Sequence, residues 1–164
     1  MMFKKMFKRE QSLYIYAPMN GSIFSLDDVP DPVFNKKMMG EGIAIQPTDG
    51  KVLAPVNGKI VQIAPTKHAI GIMTTNGFEI LIHVGLETVS LQGKGFIAEV
   101  DIGDTVTVGQ PLMDVDLDYI QQYAKSTITP VVITNGMHRH DQYEYTTEKE
   151  GVAGKTKIIT VIVS

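Results

Sequence analysis

The stretch GFEILIHVGLETV, residues 77–89, has the pattern of a β-strand whose two faces differ in character. Successive side chains of a strand point to opposite faces. One face is fully apolar and consists of Phe78, Ile80, Ile82 and Val84. The other face consists of Glu79, Leu81, His83 and Gly85. The alternation predicts a core-facing strand and leaves His83 on the opposite face as a candidate functional residue.

Short runs of β-branched and aromatic residues recur along the whole chain, separated by Gly, Pro, Asn and Asp. Strands of this length at nearly regular spacing predict an all-β fold, a sandwich or a barrel. Two short stretches favour helical turns: DPVFNKKM at 31–38, and DLDYIQQYAK at 116–125 with Asp116 as its cap. No linker divides the chain, so we expect one domain over residues 16–164 behind a flexible tail, residues 1–15.

Two segments repeat an Ala-Pro followed by an Asn-Gly: APMNGSI at 17–23 and APVNGKI at 54–60. Asn-Gly suits the positive φ angles of a tight β-turn. The repeat therefore predicts two related hairpins.

Composition excludes several classes of protein. The 164 residues are 43% hydrophobic and 20% charged, which is typical of a soluble globular domain. A net charge of −3 does not indicate nucleic-acid binding. Without cysteine there is no disulfide, thiolate metal site or thiol nucleophile. No apolar run approaches the roughly 20 residues that cross a bilayer, and no secretory signal is visible, so we expect a cytoplasmic protein.

The first residues, MMFKKMFKRE, place three apolar side chains at helical spacing among four basic ones. A frayed terminus is the simplest interpretation. The alternative is weak contact of residues 2–9 with an anionic membrane surface, at about 1 kcal/mol per basic residue.

Two of the four histidines lie within strand patterns. His138 and His140 belong to a polar stretch that reads as a solvated loop. Along TKHAIGIMT, alternation places Thr66 on the same face as His68, where its hydroxyl can accept a hydrogen bond from the imidazole and fix its tautomer. Gly85 can likewise offer its carbonyl to one ring nitrogen of His83 and leave the other bare.

Two imidazoles with orienting partners suit either of two chemistries. One is zinc ligation, which needs a further ligand and water. The other is phosphoryl transfer, in which one ring attacks phosphorus and the second donates to the phosphoryl oxygens. Leu81 lies on the same strand face as His83. An apolar side chain there favours phosphoryl transfer, in which another protein docks on the surface and excludes water.

The chain resembles the glucose-type IIA component of the bacterial phosphoenolpyruvate-dependent sugar phosphotransferase system. The resemblance runs from about Tyr16 to the C-terminus. It is carried by five ordered blocks: DVPDPVFNKKMMGEGIAIQPTDG, APVNGKI, TKHAIGI, ILIHVGLETVSLQGKGF and KSTITPVVITN. It implies an antiparallel β-sandwich with short helices and with both histidines in a shallow depression.

The resemblance also implies a role for each site residue. His83 is the residue phosphorylated on Nε2, and His68 holds the phosphoryl group and is needed for onward transfer. Thr66 and Gly85 match the partners that orient the two rings. An apolar docking rim is implied at Val33, Phe34, Met39, Leu81 and Val89, with acidic positions at Asp31 and Glu87. Glutamate at 87, where some members have aspartate, should alter contacts at the rim more than the chemistry.

The implied mechanism is two successive transfers. The carrier protein HPr gives its phosphoryl group to His83, which passes it to a cysteine on a IIB domain of a sugar permease. Neither step needs a cofactor or a bound metal. The added negative charge can change which partners bind, so regulatory targets are also implied.

Three alternatives remain. A zinc peptidase of the lysostaphin type has elements similar to HVGLE and to HRH at 138–140. A biotinyl or lipoyl carrier has hairpins similar to GDTVTVGQPL, but Lys51 and Lys67 lack the context of a modified lysine. A regulator could keep the fold without transporting, and zinc on His68 and His83 would require a ligand from a partner.

Overall fold

The computed structural model describes residues 12–136 and 141–163. Its strands are β1 (Ser12–Tyr16), β2 (Gly21–Ser25), β3 (Glu41–Pro47), β4 (Lys51–Leu53), β5 (Gly58–Ile63), β6 (Ala69–Met73), β7 (Glu79–His83), β8 (Phe96–Ala98), β9 (Thr105–Val106), β10 (Pro111–Val115), β11 (Thr129–Ile133), β12 (Gln142–Tyr145), β13 (Glu150–Gly151) and β14 (Lys157–Ile162). Its α-helices are α1 (Pro32–Asn35) and α2 (Leu117–Tyr123), and single 3-10 turns cover Leu26–Asp28 and Thr88–Leu91.

The strands form one large sheet and two small ones. The eight-stranded sheet has the order β13-β2-β3-β11-β7-β6-β5-β9, and the three-stranded sheets have the orders β1-β14-β12 and β4-β10-β8. Every strand pairing in residues 12–136 and 141–163 is antiparallel. The predicted all-β antiparallel fold is confirmed.

The main hydrophobic core lies between the large sheet and the two small ones. From β7 and its flanks it takes Phe78, Ile80, Ile82 and Val84, all at most 1% exposed. From the small sheets it takes, among others, Ile15, Val52, Leu112, Met113, Ile159 and Val161. The apolar alternation of residues 78–84 is therefore the pattern of a strand that covers this core, as predicted.

A second cluster covers the opposite face of the large sheet. It consists of Leu26, Val29, Phe34, Ala44, Ala69, Leu81, Leu86 and Val132. Four of these come from the neighbouring strands β3, β11, β7 and β6, and the others come from the segments that cross over them. This second cluster is the floor on which the candidate site is built.

Both predicted helical turns are present. The Asp116 carboxylate accepts from the backbone N–H of Tyr119 at 3.1 Å and begins α2, as expected of the cap. Asp31 does the same for α1, accepting from the N–H of Val33 at 3.0 Å.

The two predicted Asn-Gly hairpins are wrong. β1 pairs with β14 and β2 with β3, while β4 pairs with β10 and β5 with β6 and β9. Each Asn-Gly thus joins strands of different sheets. The Asn20 and Asn57 side chains explain this, because their Oδ1 atoms accept from the distant backbone N–H groups of Ala153 and Val108, at 2.7 and 2.8 Å.

The predicted tail is only partly described. Residues 12–15 pair with β14 as part of β1, so the folded domain begins by Ser12 rather than at residue 16. Residues 2–9, proposed for membrane contact, and the loop histidines His138 and His140 lie outside the described residues.

Candidate functional site

The antiparallel pairing of β6 and β7 brings the two strand histidines together. His83 ends β7 opposite Ala69, and His68 immediately precedes Ala69. The backbone N–H of Val84 donates to the carbonyl of His68 at 2.7 Å and extends the ladder past the strand ends. As a result the imidazole centroids lie 4.8 Å apart, nearly edge to face at 76°.

Gly85 fixes the tautomer of His83. The ring Nδ1 lies 2.8 Å from the Gly85 carbonyl oxygen. A carbonyl only accepts, so Nδ1 carries the hydrogen and Nε2 of the neutral ring keeps a bare lone pair.

Position 85 also requires glycine. Its φ is +79°, and a Cβ there would lie 2.5 Å from Cγ2 of Thr88 and 2.9 Å from the Ser126 carbonyl oxygen. A side chain would therefore force the loop, and with it the orienting carbonyl, to move.

Thr66 reaches His68 by a different route from the one predicted. Its Oγ1 lies 2.6 Å from Nδ1 of His68, as expected. However, neither residue is in β6, and Ile70, two residues after His68 and on the same face by strict alternation, belongs to the main core. Lys67, with φ 61°, turns the chain between Thr66 and His68 and redirects the imidazole to the site. The period-2 interpretation of this segment was wrong, although the contact it predicted is present.

Both imidazoles are neutral at pH 7. The pKa of His68 is lowered from 6.5 to about 4, first by burial and then by the proximity of His83. The pKa of His83 is also lowered, because its burial outweighs the Gly85 carbonyl and the Asp31 carboxylate, which raise it. One ring can therefore attack and the other can donate a hydrogen bond without prior loss of a proton.

Phe34 and Leu81 do not lie on an exposed rim, contrary to prediction. They are 3% and 4% exposed and belong to the second cluster. Leu81 is covered because α1 and the 3-10 turn at Leu26–Asp28 fold over this face of the sheet. Phe34 points inward from α1, and its ring centroid lies 5.0 Å from that of His83 at an interplanar angle of 59°.

Three of the predicted rim residues do reach the surface. Val33 and Val89 are 38% and 57% exposed, and Met39 is half-buried. Of the acidic positions, Glu87 is exposed, and Asp31 is close enough to His83 to raise its pKa. Of the predicted rim and acidic positions, these are the ones exposed enough to meet another protein.

The sequence interpretation missed the contacts that hold the loops around the site. The N–H of Leu86 donates to the Ser126 carbonyl at 2.9 Å, and the Thr88 hydroxyl donates to the Val84 carbonyl at 2.8 Å. The Lys125 ammonium donates to the Pro30 carbonyl at 2.6 Å. These residues lie within the blocks that carried the family resemblance, but the blocks indicated no role for them.

In the part of the chain that the structure describes, no group of three or more His, Asp or Glu residues is placed to hold an ion. Within the same residues, no helix has the length and apolarity to span a membrane.

The fold is that of a known class of sandwich proteins. The solved structure of glucose permease IIA from Mycoplasma capricolum superimposes with a TM-score of 0.81 at 38% sequence identity, covering 92% of this chain and 96% of that one. This match over nearly the whole of both chains places the protein in the IIA class.

The chain belongs to the family described as phosphoenolpyruvate-dependent sugar phosphotransferase system, EIIA 1, which matches residues 13–138. It is 50% identical to the PTS system glucose-specific EIIA component of Halalkalibacterium halodurans, over 98% of both chains. It is 45% identical to the component of the same name from Staphylococcus epidermidis, over 99% of this chain and 100% of that protein. The resemblance drawn from the five sequence blocks is confirmed, and the protein is a phosphoryl-transfer component of such a system. The peptidase alternative is not favoured.

Proposed function

We propose that the protein is a cytoplasmic phosphoryl carrier that accepts a phosphoryl group from phospho-HPr on Nε2 of His83. It then passes the group to the cysteine of a IIB domain during sugar uptake. The observation that carries this proposal is the 2.8 Å contact of His83 Nδ1 with the Gly85 carbonyl, beside a second imidazole. It leaves one nitrogen of a neutral, half-buried ring free to act as a nucleophile.

Each transfer is a displacement at phosphorus. In the first, the bond from Nε2 of His83 to phosphorus forms while the nitrogen–phosphorus bond of phospho-HPr breaks, and the electron pair returns to the donor ring. In the second, a cysteine thiolate forms the sulfur–phosphorus bond and the electron pair returns to His83. Positioning and fixed hydrogen-bond donors supply the rate in such reactions.

His68 stabilises the transferred group. The direction of this hydrogen bond is the reverse of the one expected from the sequence: the Thr66 hydroxyl donates to Nδ1 of His68, which leaves Nε2 protonated. That tautomer directs an N–H toward phosphoryl oxygens on the adjacent ring. The negative charge of the phosphoryl group then raises the pKa of His68 and strengthens this donor.

The partners are proteins that meet an open face. Neither imidazole lines the clefts of about 350 and 440 Å³ that share Lys37 and Glu41. Val33 and Val89 offer apolar contact, while Asp31 and Glu87 offer carboxylates to basic residues of the partner. Because the relatives are named as glucose-specific components, a glucose permease IIB domain is the first acceptor to test.

The test is phosphorylation by phosphoenolpyruvate, the first enzyme of the system and HPr. We expect one phosphoryl group, labile in acid and stable in base, that is lost in His83→Ala. The His68→Ala variant should accept the group but pass it to IIB about 100-fold more slowly, as when one fixed donor is removed. The matched control is His138→Ala, which should behave as wild type. Full labelling of His83→Ala would overturn the assignment.

A further inference from the structure

Phe34 is the side chain that closes one side of the His83 ring. The two centroids are 5.0 Å apart with the rings tilted by 59°, within the range in which aromatic rings attract each other. Phe34 is 3% exposed, although it is one of only four residues in α1 and Val33 beside it is 38% exposed. The helix therefore presents one residue to solvent and the next one to the imidazole.

Packing against the second cluster and hydrogen bonds at both ends of α1 hold the Phe34 ring in place. Below it lie Leu81 and the rest of the second cluster. The Asp31 carboxylate caps the start of α1, and the Asn35 side-chain amide donates to the Val29 carbonyl at 2.9 Å. These contacts stabilise the short helix, and the burial of Phe34 in the second cluster packs it against the sheet.

The His83 ring has contacts of three kinds. The Gly85 carbonyl binds Nδ1, the His68 ring meets it nearly edge to face, and the Phe34 ring packs against it. The hydrogen bond alone fixes one point of the ring and allows it to tilt about that point. The two ring contacts restrict that tilt, which sets the direction of the Nε2 lone pair.

We propose that Phe34 is a positioning residue for phosphoryl transfer: it holds the His83 imidazole so that Nε2 points at the incoming phosphorus, and it keeps water from that side of the ring. The proposal rests on the proposed function in taking His83 as the acceptor. It differs from the docking role expected from the sequence, since a buried side chain offers little surface to a partner.

The electrostatics of His83 agree with this role. Burial is the largest influence on its pKa and lowers it. The titratable groups that face the ring are Asp31 at the start of α1 and His68 before β6. Removing the Phe34 ring would admit water and raise the pKa of His83, while Asp31 and His68 stay in place.

The experiment compares two neighbours on α1 in single-turnover transfer from phospho-HPr. Phe34→Leu, which keeps apolar volume in the second cluster, should lower the rate constant at saturating HPr about 10- to 100-fold, the scale of a small misalignment. Its half-saturating HPr concentration should stay within about twofold, because the docking surface is intact. The matched control, Val33→Ala, should raise the half-saturating concentration and leave the saturating rate unchanged. Phe34→Tyr keeps the ring and should restore most of the rate.

A second measurement does not require phosphorylation. Titration of His83 by NMR in Phe34→Ala should show its pKa shifted upward relative to wild type, with Val33→Ala unchanged. A higher half-saturating concentration at an unchanged saturating rate in Phe34→Leu would overturn the proposal in favour of docking. So would a folded Phe34→Ala in which His83 titrates as in wild type. If wild-type His83 were not phosphorylated at all, the proposed function would fail and the titration would still decide whether Phe34 controls the ring.

Discussion

The two faces of β7 serve different purposes within the same five residues. On one face Ile80 and Ile82 are at most 1% exposed in a core bounded by three sheets. On the other, Leu81 lies in a small cluster covered by one-turn helices, and His83 is partly exposed. One face thus packs into the main core and the other carries the candidate site, so substitutions on the two faces should have separable effects.

The largest effect is expected from the core face. Ile80→Ala should lower the free energy of unfolding by about 3 to 5 kcal/mol, because the cavity lies among packed sheets that cannot collapse. Leu81→Ala should cost less, about 2 kcal/mol, because short helices can relax toward the gap. Urea denaturation measures both changes.

The same two variants should also differ in the rate at which they accept phosphoryl groups. The folded fraction of Ile80→Ala should accept phosphoryl groups at the wild-type rate, whereas Leu81→Ala should be slower because Phe34 and His83 lose support. Equal rates for the two folded variants would contradict the division between faces.

A smaller effect is expected at the end of the strand. Gly85→Ala should cost about 2 to 3 kcal/mol, since it adds close contacts to the roughly 1 kcal/mol of a left-handed alanine. Gly103→Ala is the matched control, with φ +98° and nothing within 4 Å of the added Cβ. Gly103→Ala should lower the free energy of unfolding only by the roughly 1 kcal/mol of a left-handed alanine. Its rate of phosphoryl transfer should equal that of the wild type. Similar losses of stability and rate in both variants would show that the space around Gly85 is not needed.

The pH dependence of stability should come from the site face. The pKa of His68 is lowered from 6.5 to about 4, so between these pH values the unfolded chain binds a proton that the folded chain does not. The melting temperature should therefore fall as pH decreases through that window. In His68→Gln this part of the slope should be missing. An NMR titration of His68 near pH 6.5 would contradict the expectation.

The smallest effect is expected at two lysines with left-handed backbones. Lys67→Gly should stabilise the fold by up to about 1 kcal/mol, because glycine adopts φ 61° without strain. Lys37→Gly relieves the same strain at φ 57° but loses ion pairs of 3.6 and 4.0 Å with Asp27 and Glu41. Its net change should be nearer zero. Thermal unfolding distinguishes the two, and a loss of stability in Lys67→Gly would show that the lysine side chain supports the turn.

Local patterns predicted the strand and the hydrogen bond that orients His83. The alternation of residues 78–84 reflects a real division between two hydrophobic clusters. The hydrogen bond between His83 and Gly85 could be predicted because the two residues are only two positions apart in the chain. The Asp116 cap of α2 was an equally local prediction. The antiparallel sandwich followed from the number and spacing of short strands.

Contacts between distant segments could not be predicted in this way. Phe34 is almost 50 residues from His83, and nothing in DPVFNKKM indicates which side chain turns inward. Thr66 and His68 follow the same alternation as β6, yet the left-handed Lys67 breaks it, and lysine gives no signal for that conformation. The hairpins predicted at the two Asn-Gly pairs were wrong for a related reason. The strands on either side of each pair have their partners in different sheets.

The two ends of the large sheet bear on how the protein behaves in a crowded solution. β13 and β9, its outermost strands, are two residues each. Such brief edges give a neighbouring copy too few free backbone groups to extend the sheet. The large sheet is therefore closed to growth by strand addition at both of its ends.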